Sequence, residues 1–276
     1  INGGIFMGFY VNVEPDVNVY VEDINPEGDK AILFVHGWPG NRNLFEYQYN
    51  QLPKMGYRCI GVDTRGFGLS DRPWHGYDYD TLADDIRCVI DAMQLQNITL
   101  AGHSTGGAQV IRYMARHQGH GVSKLGLFAA AAPSLIQRPN FPYGLTKEAV
   151  LDIIQGTYTD RPNMLVNFGN MIFHNYVTPS LADWIFELGL QASSWATAAI
   201  AETWISETLF EDLGRIQVPT LILHGLNDKV CLFPLAVAQK NGIRNAKLVP
   251  FECCGHFLFY DQMDQFNKEL IEFLEA

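Results

Sequence analysis

The stretch ITLAGHSTGGAQVIRYMARH, residues 98–117, decides the fold. Ile98 to Ala101 read as a buried strand, and from Gly106 onward the apolar positions recur at helical spacing. Between them stands Gly102-His103-Ser104-Thr105-Gly106, so a strand gives way to a helix at a serine with small neighbours. A residue at such an elbow is held in a strained conformation with its side chain pushed outward, and bulky flanking residues would collide with it. The helix that begins there aims free N–H groups and the positive end of its dipole at whatever the serine approaches.

Outward from the elbow, strand-like runs alternate with helical segments. NVYVEDI (18–24), AILFVHG (31–37), RCIGVDT (58–64), KLGLFAAAAP (124–133), PTLILHG (219–225) and KLVPFE (247–252) read as strands. NLFEYQYNQLPKM (43–55), TLADDIRCVIDAMQL (81–95), FPLAVAQKNG (233–242) and YDQMDQFNKELIEFLEA (260–276) read as helices. This alternation predicts an α/β fold, a mostly parallel sheet covered by helices. The first two strands, joined by PDVN (15–18), should form an antiparallel edge. From about 134 to 215 the pattern becomes purely helical, which predicts a helical cap (134–215) inserted between two parts of one core (1–133 and 216–276).

The chain has 276 residues, 47% of them hydrophobic, and a formal net charge of −11. That excludes a disordered chain, and the lack of any basic run excludes a nucleic-acid partner. The longest apolar run, LGLFAAAA (125–132), is too short to cross a bilayer. No membrane partner and a cytoplasmic location are expected, INGGIF before Met7 reads as a vector-derived leader, and a homo-oligomer is compatible with the composition. Five cysteines, Cys59, Cys88, Cys231, Cys253 and Cys254, suit reduced thiols, four of them in apolar stretches. Cys253, Cys254 and His256 make a poor metal site, because adjacent strand residues point to opposite faces and no second cluster completes four ligands.

A serine hydroxyl needs a base to take its proton. His256, directly after the last strand in ECCGHF, is the candidate, and Asp228 in HGLND, just past the preceding strand, is the carboxylate to orient it. The chain order Ser104, Asp228, His256 suits a serine elbow on a parallel sheet. An oxyanion would need two donors: the N–H of Thr105, and that of Trp38 in HGWPGN. His36 and His103 read as orienting or packing residues.

HGWPG, DTRGFGLSDRP, GHSTGG, HGLNDKV and CGHF together resemble the α/β-hydrolase superfamily, in family order over nearly the whole chain. The closer likeness is to the branch of cofactor-free haloperoxidases (perhydrolases), arylesterases and γ-lactamases. The resemblance implies an eight-stranded, mostly parallel sheet, a helical cap, a Ser104–Asp228–His256 triad, and no metal or cofactor. Two departures concern the pocket: Ile205-Ser206-Glu207-Thr208-Leu209 replaces the branch's Phe-x-Glu-Thr-Asp, and CLFP follows DKV where relatives place a proline sooner. Dehalogenases and epoxide hydrolases carry an aspartate at the elbow, so Ser104 points to acyl transfer.

The expected substrate is a small, largely apolar ester or lactam, with peroxide able to replace water as acyl acceptor. Trp204, Trp195, Trp184 and Phe141 in the cap are the candidate substrate-binding residues, within an aromatic set that also holds Tyr143, Phe168, Met171 and Phe173. A carbon–carbon bond hydrolase with the same triad and a non-catalytic small-ligand receptor on the same fold are the alternatives.

Overall fold

A computed structural model describes residues 7–276; the expectation for residues 1–6 lies outside the described residues. Eight strands form one sheet: β1 (Met7–Glu14), β2 (Val17–Ile24), β3 (Lys30–Val35), β4 (Tyr57–Val62), β5 (Ile98–His103), β6 (Val122–Phe128), β7 (Thr220–Gly225) and β8 (Ala246–Phe251). Their spatial order is β1-β2-β4-β3-β5-β6-β7-β8. β1 and β2 pair antiparallel at one edge, as the PDVN turn suggests, and β2 is antiparallel to β4. From β3 to β8 every pairing is parallel, so all their C-terminal ends meet at one edge. Every residue of β5 and of β7 is buried, as expected of central strands covered on both faces.

The helices are α1 (Glu46–Tyr49), α2 (Tyr79–Ala92), α3 (Thr105–Arg116), α4 (Lys147–Thr159), α5 (Arg161–Ile172), α6 (Pro179–Leu190), α7 (Ser194–Ser206), α8 (Phe210–Leu213), α9 (Phe233–Gly242), α10 (Leu258–Asp261) and α11 (Met263–Glu275). None is long and apolar enough to cross a membrane among the described residues. α4 to α8 follow one another between β6 and β7, with only the isolated bridges Ile136–Leu145 and Arg138–Phe141 beside them. The starts of α4 to α7 are written locally: Thr146, Asp160, Thr178 and Ser193 each accept a backbone N–H three residues on, within the first turn.

Two segments differ from the sequence expectation. Residues 43–55 do not form one helix; they break into the tight turns Arg42–Phe45 and Leu52–Met55 around the single turn α1. Pro53 disfavours helical backbone before it, and Gly56 at φ +89 ends the run. The final helix is interrupted at Gln262, whose extended φ of −139 separates α10 from α11.

The DTRGFG motif ties the end of β4 to the loop after β3. The buried Asp63 carboxylate accepts the backbone N–H of Arg42 at 2.9 Å, its guanidinium at 2.8 Å, and the N–H of Leu69 at 2.9 Å. Gly68 sits at φ +52 with its Cα against that carboxylate, where a side chain would collide.

Candidate active site

Ser104 follows the last residue of β5, between the ends of β3 and β6. Its φ of +55 and ψ of −122 are strained for a residue with a side chain, as an elbow requires. The conformation is held by the Ser104 N–H, which donates to Phe128 O at 3.0 Å, and by the Ser104 carbonyl, which accepts from Ala131 N at 2.9 Å. Although Ser104 stands at the N-cap of α3, its hydroxyl makes no capping bond. It faces His256 Nε2 at 2.9 Å instead, while His256 Nδ1 lies 2.8 Å from Asp228 Oδ2.

Chemistry assigns the protons. A carboxylate only accepts, so His256 Nδ1 carries hydrogen, and the Nε2 lone pair faces the Ser104 O–H. The second Asp228 oxygen accepts the N–H groups of Val230 (2.8 Å) and Cys231 (2.9 Å), which fix the carboxylate in its turn beyond β7. His224 Nε2 lies 2.6 Å from Cys231 O and 3.4 Å from Asp228 Oδ2, both acceptors, so this nitrogen is also protonated. Burial alone would raise the Asp228 carboxyl, but the electrostatic attraction and hydrogen bonds of the His256 and His224 rings outweigh it and hold the group well below the usual carboxylate range. Such a line can draw a proton from a serine hydroxyl and stabilise the imidazolium that results.

The two expected oxyanion donors flank the serine. The N–H groups of Trp38 and Thr105 donate to no acceptor among the described residues. The loop carrying Trp38 is pressed against the elbow: a Cβ on Gly37 would lie 2.7 Å from His103 Nδ1 and 2.8 Å from Ser104 Cβ. His36 secures that loop, because its Nε2 accepts the Thr64 N–H at 3.0 Å and its Nδ1–H then donates to Gly37 O at 3.0 Å. His103 Nε2–H donates to the carbonyl of His256 at 3.1 Å, and the two rings lie 4.8 Å apart. Burial holds both His36 and His103 below the ordinary histidine value, so both act as neutral spacers.

Gly106 fits the same close approach. A Cβ there would fall inside van der Waals contact with the carbonyl oxygens of Val35 and His36, backbone atoms that cannot swing aside. Gly106→Ala is therefore expected to cost about 1–3 kcal/mol of stability. By shifting the Trp38 loop it should also lower kcat more than it raises KM. Urea unfolding and steady-state kinetics on one preparation check both.

The candidate pocket residues separate. Trp204 is beside the elbow: its indole N–H donates to Thr105 Oγ1 at 3.2 Å and its ring meets Trp38 edge-on at 5.0 Å. Trp195 does not reach the site; it stacks on the exposed Trp74 at 4.4 Å and donates to Pro73 O. Phe141 packs edge-on against Tyr143 and Phe210. Trp184 meets Tyr260 at 6.2 Å, while its neighbours Asp183 and Ile185 line a cavity that Trp184 does not.

That cavity, about 450 Å³, opens between α5 and α6, and its inner wall includes Pro39, Leu44, Leu165, Phe168, Ile172 and Phe257. Pro39 and Phe257 adjoin Trp38 and His256 in the chain, and Phe168 meets the Trp38 ring edge-on at 5.0 Å. Ser104, only 4% exposed, does not itself line it. Leu165, Ile172 and Phe257 were missed from sequence, yet Leu165, Phe168 and Ile172 recur at three- and four-residue spacing, the signature of one helix face. Cys253 and Cys254 lie in the turn past β8 and not on a strand; the first is exposed, the second buried.

The chain is 48% identical over 267 residues to the AB hydrolase superfamily protein YisY of Bacillus subtilis (strain 168), covering 97% of this chain and 99% of the relative. An esterase from Exiguobacterium antarcticum is 41% identical, with a TM-score of 0.95 over 98% of this chain and all of that one. A bromoperoxidase from Bacillus anthracis is 29% identical, with a TM-score of 0.93 over the same shares. Residues 30–262 match the model of the alpha/beta hydrolase fold family. The match runs from β3 through the loop that carries His256, so elbow, sheet edge and both flanking loops fall within it, and the chain belongs to the α/β-hydrolase family.

Proposed function

We propose that the protein is a serine hydrolase that cleaves a small, uncharged, largely apolar ester or lactam through an acyl-enzyme on Ser104. The observation that carries this reading is the unbroken line from Ser104 Oγ through His256 to Asp228, beside two uncommitted N–H groups. His256 Nε2 takes the hydroxyl proton as Oγ bonds to the substrate carbonyl carbon, and the electron pair moves to the carbonyl oxygen between Trp38 N–H and Thr105 N–H. The tetrahedral adduct collapses as the bond to the leaving group breaks and His256 gives that group the proton. Water then gives a proton to His256 as it bonds to the acyl carbon, and the second tetrahedral adduct collapses as the acyl–Oγ bond breaks and His256 returns the proton to Ser104 Oγ. Hydrogen peroxide in place of water yields a peracid, a branch supported by the likeness to a bromoperoxidase.

The cavity supports the substrate class. Its lining is apolar apart from Asn170, Asn175 and Asp183, and it holds no lysine, arginine or histidine. A substrate carboxylate would lose water there without meeting a cation. Asp183 at the exposed end adds repulsion.

The test is mass spectrometry after a fluorophosphonate probe, together with kcat/KM for a p-nitrophenyl butyrate and p-nitrophenyl hemiglutarate pair. Label on Ser104 and a preference of roughly tenfold or more for the neutral ester are expected. No label on any residue would favour the receptor reading, and faster turnover of the acid ester would overturn the substrate class.

A further inference from the structure

A carboxylate outside the line just described fastens the connection between α5 and α6 to the loop that carries His256. Asp261, the last residue of α10, accepts the N–H of Gly255 (2.7 Å) and of His174 (2.8 Å) on Oδ2, and that of Asn175 (3.1 Å) on Oδ1. The Asn175 side-chain amide donates to the carbonyls of Cys253 (3.0 Å) and Asp261 (3.2 Å). From the other side, the Ile172 carbonyl at the end of α5 accepts the N–H groups of both His256 (2.9 Å) and Phe257 (3.0 Å).

Two further features show how tightly the two segments are drawn together. Cys253 sits at φ +49, a conformation that residues with a side chain seldom adopt without support. A Cβ on Gly255 would lie 2.8 Å from His174 N, 3.0 Å from Ile172 O and 3.1 Å from Asp261 Oδ2, so only glycine permits this approach. The same segments form a wall of the cavity through Ile172, Phe173, Asn175 and Phe257.

We infer that Asp261 is a positioning residue for His256: its charge-assisted bonds to three backbone N–H groups hold the base at Ser104 and couple its place to the cavity wall. This rests on the reading of His256 as the base. Without the carboxylate, Gly255 N–H and the 174–175 backbone lose their shared acceptor, and the loop before His256 is free to relax from the strained turn at Cys253. A displacement of about an ångström at a reacting group is enough to cost on the order of a hundredfold in rate.

The experiment compares wild type with Asp261→Ala, Asp261→Asn and Asn175→Ala by kinetics, thermal unfolding, and NMR of 15N-histidine-labelled protein, which reports the His256 Nδ1–H directly. Asp261→Ala is expected to lower kcat by about ten- to a hundredfold with little change in KM, and to move the His256 resonance. Asp261→Asn, which keeps one acceptor oxygen, should fall between it and wild type; it also serves if the alanine variant does not fold. Asn175→Ala should lose severalfold and add nothing to Asp261→Ala. A lowered melting temperature with kcat within twofold and an unmoved His256 resonance would reduce Asp261 to a stabilising contact and overturn the inference. If wild type fails to label with fluorophosphonate, the hydrolase reading falls, while the His256 resonance in the Asp261 variants still decides whether the carboxylate positions that ring.

Discussion

Ser104→Ala is expected to lower kcat for ester hydrolysis by roughly four to six orders of magnitude while leaving KM nearly unchanged. The change removes one atom, and that atom does no structural work at the helix start: the Ser104 hydroxyl makes no capping bond, and its hydrogen-bond partner is His256 Nε2. The backbone bonds that hold the elbow, to Phe128 O and from Ala131 N, do not involve the side chain. The melting temperature should therefore move little, and the loss belongs to chemistry and not to folding. The remaining rate would come from the N–H groups of Trp38 and Thr105 and from binding alone, which act without a nucleophile. Stopped assays at enzyme concentrations high enough to read such a rate, with the labelled peptide mapped in parallel, check this. A variant within tenfold of wild type would remove Ser104 from the mechanism and put the receptor reading ahead.

What sequence makes legible here is what depends on local chemistry. The elbow is read from Gly102, Ser104 and Gly106, because a strained turn with small flanks is a property of a few consecutive residues. Asp228 and His256 are read from their place after two strands, because parallel strands bring their C-terminal ends to one edge whatever else the chain does. The mostly parallel sheet follows from the strand–helix alternation, its antiparallel edge from the PDVN turn, and its eight strands from the family resemblance. The cavity is less legible. Trp195 and Phe168 are equally plausible lining residues in one dimension, and only helix rotation stacks the first on Trp74 and turns the second toward Trp38. Asp261 carries little local signal: Gly255 is six residues away, but its other backbone partners His174 and Asn175 lie 87 and 86 residues away in the chain. His224 is hidden for a related reason: a histidine in a buried strand looks like packing until the turn at 228–231 folds back onto it.

Asp228→Asn should abolish most activity while keeping the fold, with a fall in kcat of about 10⁴-fold. An asparagine can keep its oxygen where Oδ1 now accepts from Val230 and Cys231, bonds of 2.8 and 2.9 Å that define the turn. Its NH₂ then stands in the place of Oδ2, facing His256 Nδ1 and His224 Nε2. A donor opposite a donor is repulsive, so His256 shifts to the tautomer with Nδ1 bare and Nε2 protonated. That ring presents a proton to Ser104 where it should present a lone pair, and it has lost the charge that steadies an imidazolium. Stability adds a second, independent readout. Because the folded Asp228 is held below the ordinary carboxylate range, its ionisation contributes stability that is fully present above about pH 4, the unfolded value, and is lost as pH falls through the folded value. The asparagine has no such contribution. The Asp228 contribution to the gap in unfolding free energy between wild type and Asp228→Asn should therefore shrink as the solution is acidified below about pH 4. Urea titrations between about pH 4 and pH 3 measure it, and a gap that widened across that range would mean that Asp228 is not ionised in the folded protein.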